Sequence, residues 1–373
     1  MSPTVPILQQ AWQGALWLAS QLRRHSWLVA LSGFGLGLAS FLLIERRASL
    51  ATTLAGLMLA SWLVLLLENS FRSRISRWLG IELPTPLLRV VTQMIHQESL
   101  FFVLPFYLLT TTWTEPQALF TGLLALAAVA AVIDPFYHGF IGRRRWLLIG
   151  FHTFTLFCLL LTALPLILHL STRESFYWAL GTAVALSIPS LAGVIPARVR
   201  WRQLALLGLP LALGGVAWAA RPWVPPATLW LTHNAVTQTL DVDRRRPGQA
   251  LASISQDALN ADGLYAYTAI RAPRGLHEPV EHVWLHNGHE VDRIPLTITG
   301  GRKQGYRAWS HKLHFPPHAR GEWEVRVVTD GGQMVGRMGF TVSGSTQPRR
   351  SSTTVTPLTL EYLRPAYDER ITP

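Results

Sequence analysis

Residues Leu204–Ala220 read LALLGLPLALGGVAWAA, an apolar run preceded by Arg198, Arg200 and Arg202 and followed by Arg221-Pro222-Trp223-Val224-Pro225-Pro226. Coiled as a helix at 1.5 Å per residue, it reaches about 25 Å, enough to cross a bilayer's hydrocarbon core with Trp218 and Trp223 near one interface. Upstream, long hydrophobic segments follow one another; downstream, short alternating segments and turn residues take over. The run therefore reads as the last membrane span, and as the hinge between a helical membrane half and a β half.

Composition agrees. The 373 residues are 49% hydrophobic and 14% charged, with a mean hydropathy of +0.25, which belongs to the membrane class. The net charge of +12 sits mostly in short arginine clusters between apolar runs, where topology signals lie, and no basic-aromatic motif accompanies it. A nucleic-acid partner is therefore not expected. Cys158 is the single cysteine, so an extracytoplasmic domain has to fold on its core alone, without an intrachain disulfide. No small-residue cleavage site follows the first apolar run, Trp27–Ile44, which is expected to stay as a span rather than be removed as a signal peptide.

Working outward, residues 7–22 place Leu8, Trp12, Ala15, Leu16, Ala19 and Leu22 at helical spacing, as in a helix lying on the cytoplasmic membrane surface. Spans are expected at Trp27–Ile44, Leu50–Leu67, Leu87–Trp113, Ala118–Ile133, Trp146–Leu168, Ser175–Ile195 and Leu204–Ala220, seven in all within a helical domain of residues 26–220. Between the second and third, residues 68–84 read as a basic amphipathic helix for an anionic lipid surface. Eleven arginines fall on one side of this arrangement and four on the other. The positive-inside rule then puts the N-terminus in the cytoplasm and everything beyond Ala220 outside it.

Beyond Pro226, strands are expected near 228–240, 263–272, 280–286, 289–298, 305–314, 322–329 and 333–342. Asn287-Gly288 suits a two-residue type I′ hairpin, and Asp330-Gly331-Gly332 joins two further strands. About seven strands over residues 226–342 predict an all-β immunoglobulin-like sandwich. Residues 343–373, rich in Ser, Thr and Pro, are expected to be a disordered tail.

Val283-Trp284, Asn287-Gly288, Ile294-Pro295-Leu296, Gly300-Gly301-Arg302, the run Tyr306–Lys312, Gly321-Glu322-Trp323-Glu324-Val325, Gly332-Gln333 and Phe340-Thr341-Val342 together resemble a bacterial envelope family. That family is domain of unknown function 2914, and the resemblance covers roughly residues 275–342. Residues 1–220 look like the multi-span region that accompanies this domain in proteobacteria. The resemblance implies a location in the bacterial envelope and transfers no catalytic residue.

Three constellations can carry chemistry. Within spans three to five, Glu98, Asp134 and His152, with His96 or Arg89 near, fall in the cytoplasmic third of the bilayer; His152 lies six residues into its span, about 9 Å deep. Ionisable groups there are costly, so an acid–histidine cluster suits proton or cation binding. In the β half, His282, His286 and His289 are expected on one hairpin face, three imidazoles of the kind that bind Zn²⁺ or Cu²⁺, but no carboxylate is placed to support them and an exposed strand face accounts for them equally, so no metal is assigned. Finally, Arg302, Arg307 and Trp309 are candidates for one basic-aromatic face, with Lys312 of opposite parity to Arg307, suited to an anionic glycan, lipid headgroup or partner protein. No P-loop, dinucleotide fingerprint, zinc-protease or nucleophile-elbow motif is present, and no cofactor is expected.

The primary reading is a polytopic inner-membrane protein that presents a periplasmic binding or assembly module to peptidoglycan, lipopolysaccharide or an envelope protein, with an enzymatic role left open but not favoured. The alternative is a membrane transporter or enzyme working through the acid–histidine cluster. What separates them is whether the ionisable groups of spans three to five face one another.

Overall fold

The computed structural model of the chain describes residues 14, 17, 20, 21, 24–43, 51–63, 65, 85–192, 194, 195, 198 and 201–344. The amphipathic helix expected at 68–84, most of the interfacial helix expected at 7–22 and the tail beyond residue 344 lie outside the described residues.

The N-terminal half is helical: α1 (Ser26–Leu43), α2 (Ala51–Leu63), α3 (Thr85–Thr110), α4 (Gln117–Val132), α5 (Arg145–Ile167), α6 (Thr172–Ala192) and α7 (Arg202–Ala219). Among the described residues, α5, α6 and α7 are long and apolar enough to cross a membrane. A fourth candidate is α4 taken with the bent segment after it. The chain is thus consistent with a membrane protein. The first half of α3 is diluted by Arg89, Gln93, His96, Gln97 and Glu98, which is why a 26-residue helix reads weakly as a span. Gly33 and Gly37, one turn apart on α1, admit α3 closely: a Cβ at Gly37 would stand 2.2 Å from the Phe102 carbonyl oxygen.

The fourth helix ends at Val132, one residue short of the expected span, but the chain does not leave the bundle there. Ile133 is extended (φ −83°, ψ 94°), the direction changes by 96°, and a turn at Asp134–Phe136 runs into a π-helical turn, Tyr137–Ile141. Pro135 tolerates the start of this new turn, where its missing N–H is not needed.

The C-terminal half is a β domain of two facing sheets. One holds β1 (Trp230–Thr237), β5 (Leu264–Arg271) and β8 (Tyr306–Lys312), in that order. The other runs β4 (Ser253–Ser255), β10 (Met334–Ser343), β9 (Gly321–Thr329), β6 (His277–His286), β7 (His289–Thr299). Every expected strand is present. Not expected were the short pair β2 (Leu240–Asp241) and β3 (Arg246–Pro247), β4, and the helix α8 (Gln256–Asp262), which Ser255 caps through the Ala258 N–H. Ala266, Ile270 and Ala308 from one sheet and Val280, Trp284, Val325, Val327 and Phe340 from the other share one core. Asn287 (φ 49°) and Gly288 (φ 82°) make the two-residue turn between β6 and β7.

The β domain is seated on the ends of three helices. After α3, Gln117 donates to the Met334 carbonyl (2.9 Å) and the Arg337 guanidinium reaches Thr114 and Glu115. After α5, the Thr172 N–H donates to Glu278 Oε2 (2.8 Å) and Arg173 pairs with Asp330 (2.7 Å). After α7, Arg221 donates to the Gly331 carbonyl (3.1 Å) and Gln333 to the Val224 carbonyl (2.8 Å). Residues 224–229, which join the halves, are buried, and Val224 and Ala227 belong to the helical core.

Candidate functional site

On α3, Gln93, His96, Gln97 and Leu100 recur at the spacing of one helix face, and all four are buried. A face of that kind is ordinarily apolar, and three polar side chains on it need partners. His96 finds two. Its Nδ1 lies 2.6 Å from the Tyr137 hydroxyl on the π-helical turn, and its Nε2 lies 3.1 Å from Nδ1 of His152 on α5. The Trp62 indole closes one side, with its ring 4.5 Å from the His152 ring and its N–H donated to Ser99 Oγ at 2.8 Å. Phe151 stands edge-on to His96.

The arrangement constrains the protons. If Tyr137 donates to His96 Nδ1, then His96 carries its proton on Nε2 and donates to His152 Nδ1. If His152 Nδ1 carries a proton, the whole row reverses and Tyr137 accepts. Tyr137, His96 and His152 therefore form a line with two polarities, related by shifting one proton across each of two hydrogen bonds while one proton enters at the tyrosine oxygen and one leaves from His152 Nε2. Such a line can pass a proton end to end without any heavy atom leaving its place.

Of the residues expected here, the structure brings His96 and His152 into direct contact. Asp134 joins one turn away, accepting from Gln93 Nε2 at 2.7 Å, while the same amide holds the Ala131 carbonyl at 3.0 Å. That fork fastens the bent end of α4 to α3. Glu98 points elsewhere, toward Gly33 on α1, and its Oε1 is buried without a hydrogen-bond partner. Arg89 is exposed. Tyr137, Gln93 and Trp62 were missed in the sequence. The signal for Gln93 was its three-residue spacing from His96, whereas Tyr137 depends on a π-turn that no pattern announces.

The β-domain candidates are differently placed. His282 is fully buried between the sheets, held by Thr268 Oγ1 (3.1 Å) and Ser310 Oγ (2.9 Å), and burial pushes its pKa down to about 4. His286 stacks on Trp323 and meets the Arg320 carbonyl at 2.9 Å; His289, paired across the hairpin, is exposed. The three imidazoles do not converge, because both nitrogens of His282 are taken inside the core. Among the described residues no group of three or more His, Cys, Asp or Glu is placed to hold a metal ion.

Arg307 and Trp309 do share the outer face of β8, with Lys312 facing inward. Lys312 is 7% exposed and pairs with Asp292 at 2.6 Å. Arg307 donates to the Arg244 carbonyl (3.0 Å) and to Gln304 (2.5 Å), and Arg302 lies over the Tyr306 ring at 4.8 Å. These cations are engaged within the domain.

The histidine pair and the β domain lie at opposite ends of the same helices. His96 is fourteen residues, about 21 Å, from the end of α3 at Thr110, and His152 lies about as far from the end of α5 at Ile167.

Residues 277–342 match the family model described as Protein of unknown function (DUF2914), the segment that carries the resemblance in the sequence. No curated protein and no solved structure matches the chain. A second model covers residues 8–266, well over half the chain, taking in the histidine pair, every helix from α1 to α7 and the strands as far as β5. The chain thus belongs to the Family of unknown function (DUF5924).

Proposed function

We propose that the chain is a seven-span bacterial inner-membrane protein that moves or exchanges protons through the Tyr137–His96–His152 line, as a transporter or relay. In this reading the N-terminus is cytoplasmic and the β domain, an immunoglobulin-like sandwich, is a periplasmic cap. The observation that carries it is the direct contact of the buried His96 imidazole with the half-buried His152 imidazole of another helix, two titratable groups in line inside the bundle. Supporting the orientation are the eleven-to-four arginine distribution and, among the described residues, the seating of the β domain where α3, α5 and α7 end.

The test is reconstitution in liposomes with an entrapped pH dye. After an imposed pH step, the wild type is expected to equilibrate faster than protein-free liposomes. His152→Gln and Tyr137→Phe are expected to return the rate to that baseline. A wild type at baseline, or variants as fast as the wild type, would overturn the proposal.

A second reading keeps the β domain as the working part, binding an anionic glycan, lipid headgroup or envelope protein. What favours it is the outer face of β5 and β8, where Tyr265 stacks on exposed His311 (3.8 Å between centroids) beside Trp309 and Arg307, with Arg244, Arg245 and Arg246 adjoining. Salt-sensitive retention of the protein on cell-wall preparations, weakened by Arg307→Ala, is its expected outcome. No retention at low salt would dispose of it.

A further inference from the structure

Glu278 opens the contact between the two halves to a different question. It is the second residue of β6, fully buried, at the point where the β domain meets the first turn of α6. One carboxyl oxygen accepts from the Thr172 N–H, a free donor at the helix start; the other, Oε1, is buried with no hydrogen-bond partner. The charged groups around it are mostly of its own sign. From α6 come Glu174, which caps its own helix through Ser171, and Arg173; from the β9–β10 turn comes Asp330, which Arg173 already engages. Arg221, after α7, holds the backbone of the same turn at Gly331. His169 packs against Gly275 just before the strand, and His277, next to Glu278, is exposed. No cation bonds to Glu278 among these.

We propose that Glu278 is a proton-operated latch: protonated, it holds the β domain on the end of α6, and on ionising it loosens that contact. The reason is the orphan oxygen. A buried carboxylate with one donor, facing Asp330 and Glu174, regains solvation only by leaving the interface. The helix N-terminus and Thr172 oppose this by favouring the anion, but burial outweighs them, lifting the group from its usual range to about 7. A carboxyl whose pKa is raised in the docked state contributes its stabilisation fully at low pH. That contribution falls away as pH rises from the ordinary carboxylate range through 7. Nothing in this depends on the histidine pair.

The test is amide hydrogen exchange on the full-length protein in detergent micelles, following peptides that cover residues 168–176 and 326–336. After correction for the intrinsic pH dependence of exchange, the wild type is expected to lose protection as pH rises from the ordinary carboxylate range to 7, with opening rising up to about tenfold per pH unit and levelling off above 7. Glu278→Gln is expected to show no such step. Asp330→Asn, which removes a repelling charge and frees Arg173, is expected to move the step to lower pH. A wild type without the step, or a step unchanged in either variant, overturns the latch.

Discussion

The boundary between the two family models falls inside one folded domain, and this predicts that residues 277–342 will not fold alone. That segment contains β6 to β10 but lacks β1, β4 and β5. In the three-stranded sheet β8 is hydrogen-bonded to β5 only, so in the fragment it has no partner. Of the twenty-one buried residues of the shared core, nine precede residue 277, among them Leu229, Val236, Ile254, Leu259, Leu264, Ile270 and Leu276. At about 1.5–3 kcal/mol for each fully buried aliphatic side chain, those seven amount to roughly 10–20 kcal/mol. A whole domain is stable by only about 5–15 kcal/mol, so the loss exceeds the reserve. The assay compares residues 277–342 with residues 226–344, each expressed alone, by circular dichroism and thermal melting. The longer piece is expected to be β-rich and to melt cooperatively without disulfide or metal; the shorter is expected to show no cooperative transition. A sigmoidal melt of residues 277–342 would refute this account of where the core lies.

Three further outcomes can be checked. Gly37→Ala sets a methyl against the Phe102 carbonyl oxygen and is expected to cost about 1–3 kcal/mol in a detergent melt, whereas Gly35→Ala, with open space around its Cβ position, is expected to be neutral. His282 is held neutral in the folded domain while the unfolded chain takes up a proton near 6.5. Stability should therefore be complete above that pH and fall by about 3 kcal/mol toward pH 4, with the slope absent in His282→Gln; urea titrations at several pH values read this directly. A periplasm-active reporter fused after Ser343 is expected to be active and one fused after Arg202 inactive, and the reverse result would invert the orientation.

Strand positions were legible because each strand alternates and ends on a turn residue with an obvious conformational reason, as at Asn287-Gly288. The helices were equally plain from their apolar runs. What escaped were features set by tertiary contact. The pair β2–β3 and β4 are two or three residues long, too short to show a period. The bend at Ile133 reads in sequence as a simple stop, because Asp-Pro terminates helices whether or not the chain turns back. His96 and His152 were both suspected, but their contact needs Tyr137 and Trp62, brought from segments on either side of α3 with no local signature. The histidines of β6 misled for a related reason: strand parity puts His282 and His286 on one face, and says nothing about Thr268 and Ser310 waiting on the opposite sheet.

The three-point seating of the β domain limits how the helices beneath it can move. Sliding α3 along α5 would shear the Gln117–Met334 and Thr172–Glu278 bonds, since both end on the same β domain. Tilting leaves those bonds in place and makes the seated ends the pivot. Over the roughly 21 Å from Thr110 to His96, a tilt of only about 5° carries the imidazole about 2 Å. That is enough to part a 3.1 Å contact and interrupt the proton line. On the proposed function, the domain farthest from the histidines would serve as their fulcrum, turning a small angular change into the making or breaking of the His96–His152 contact.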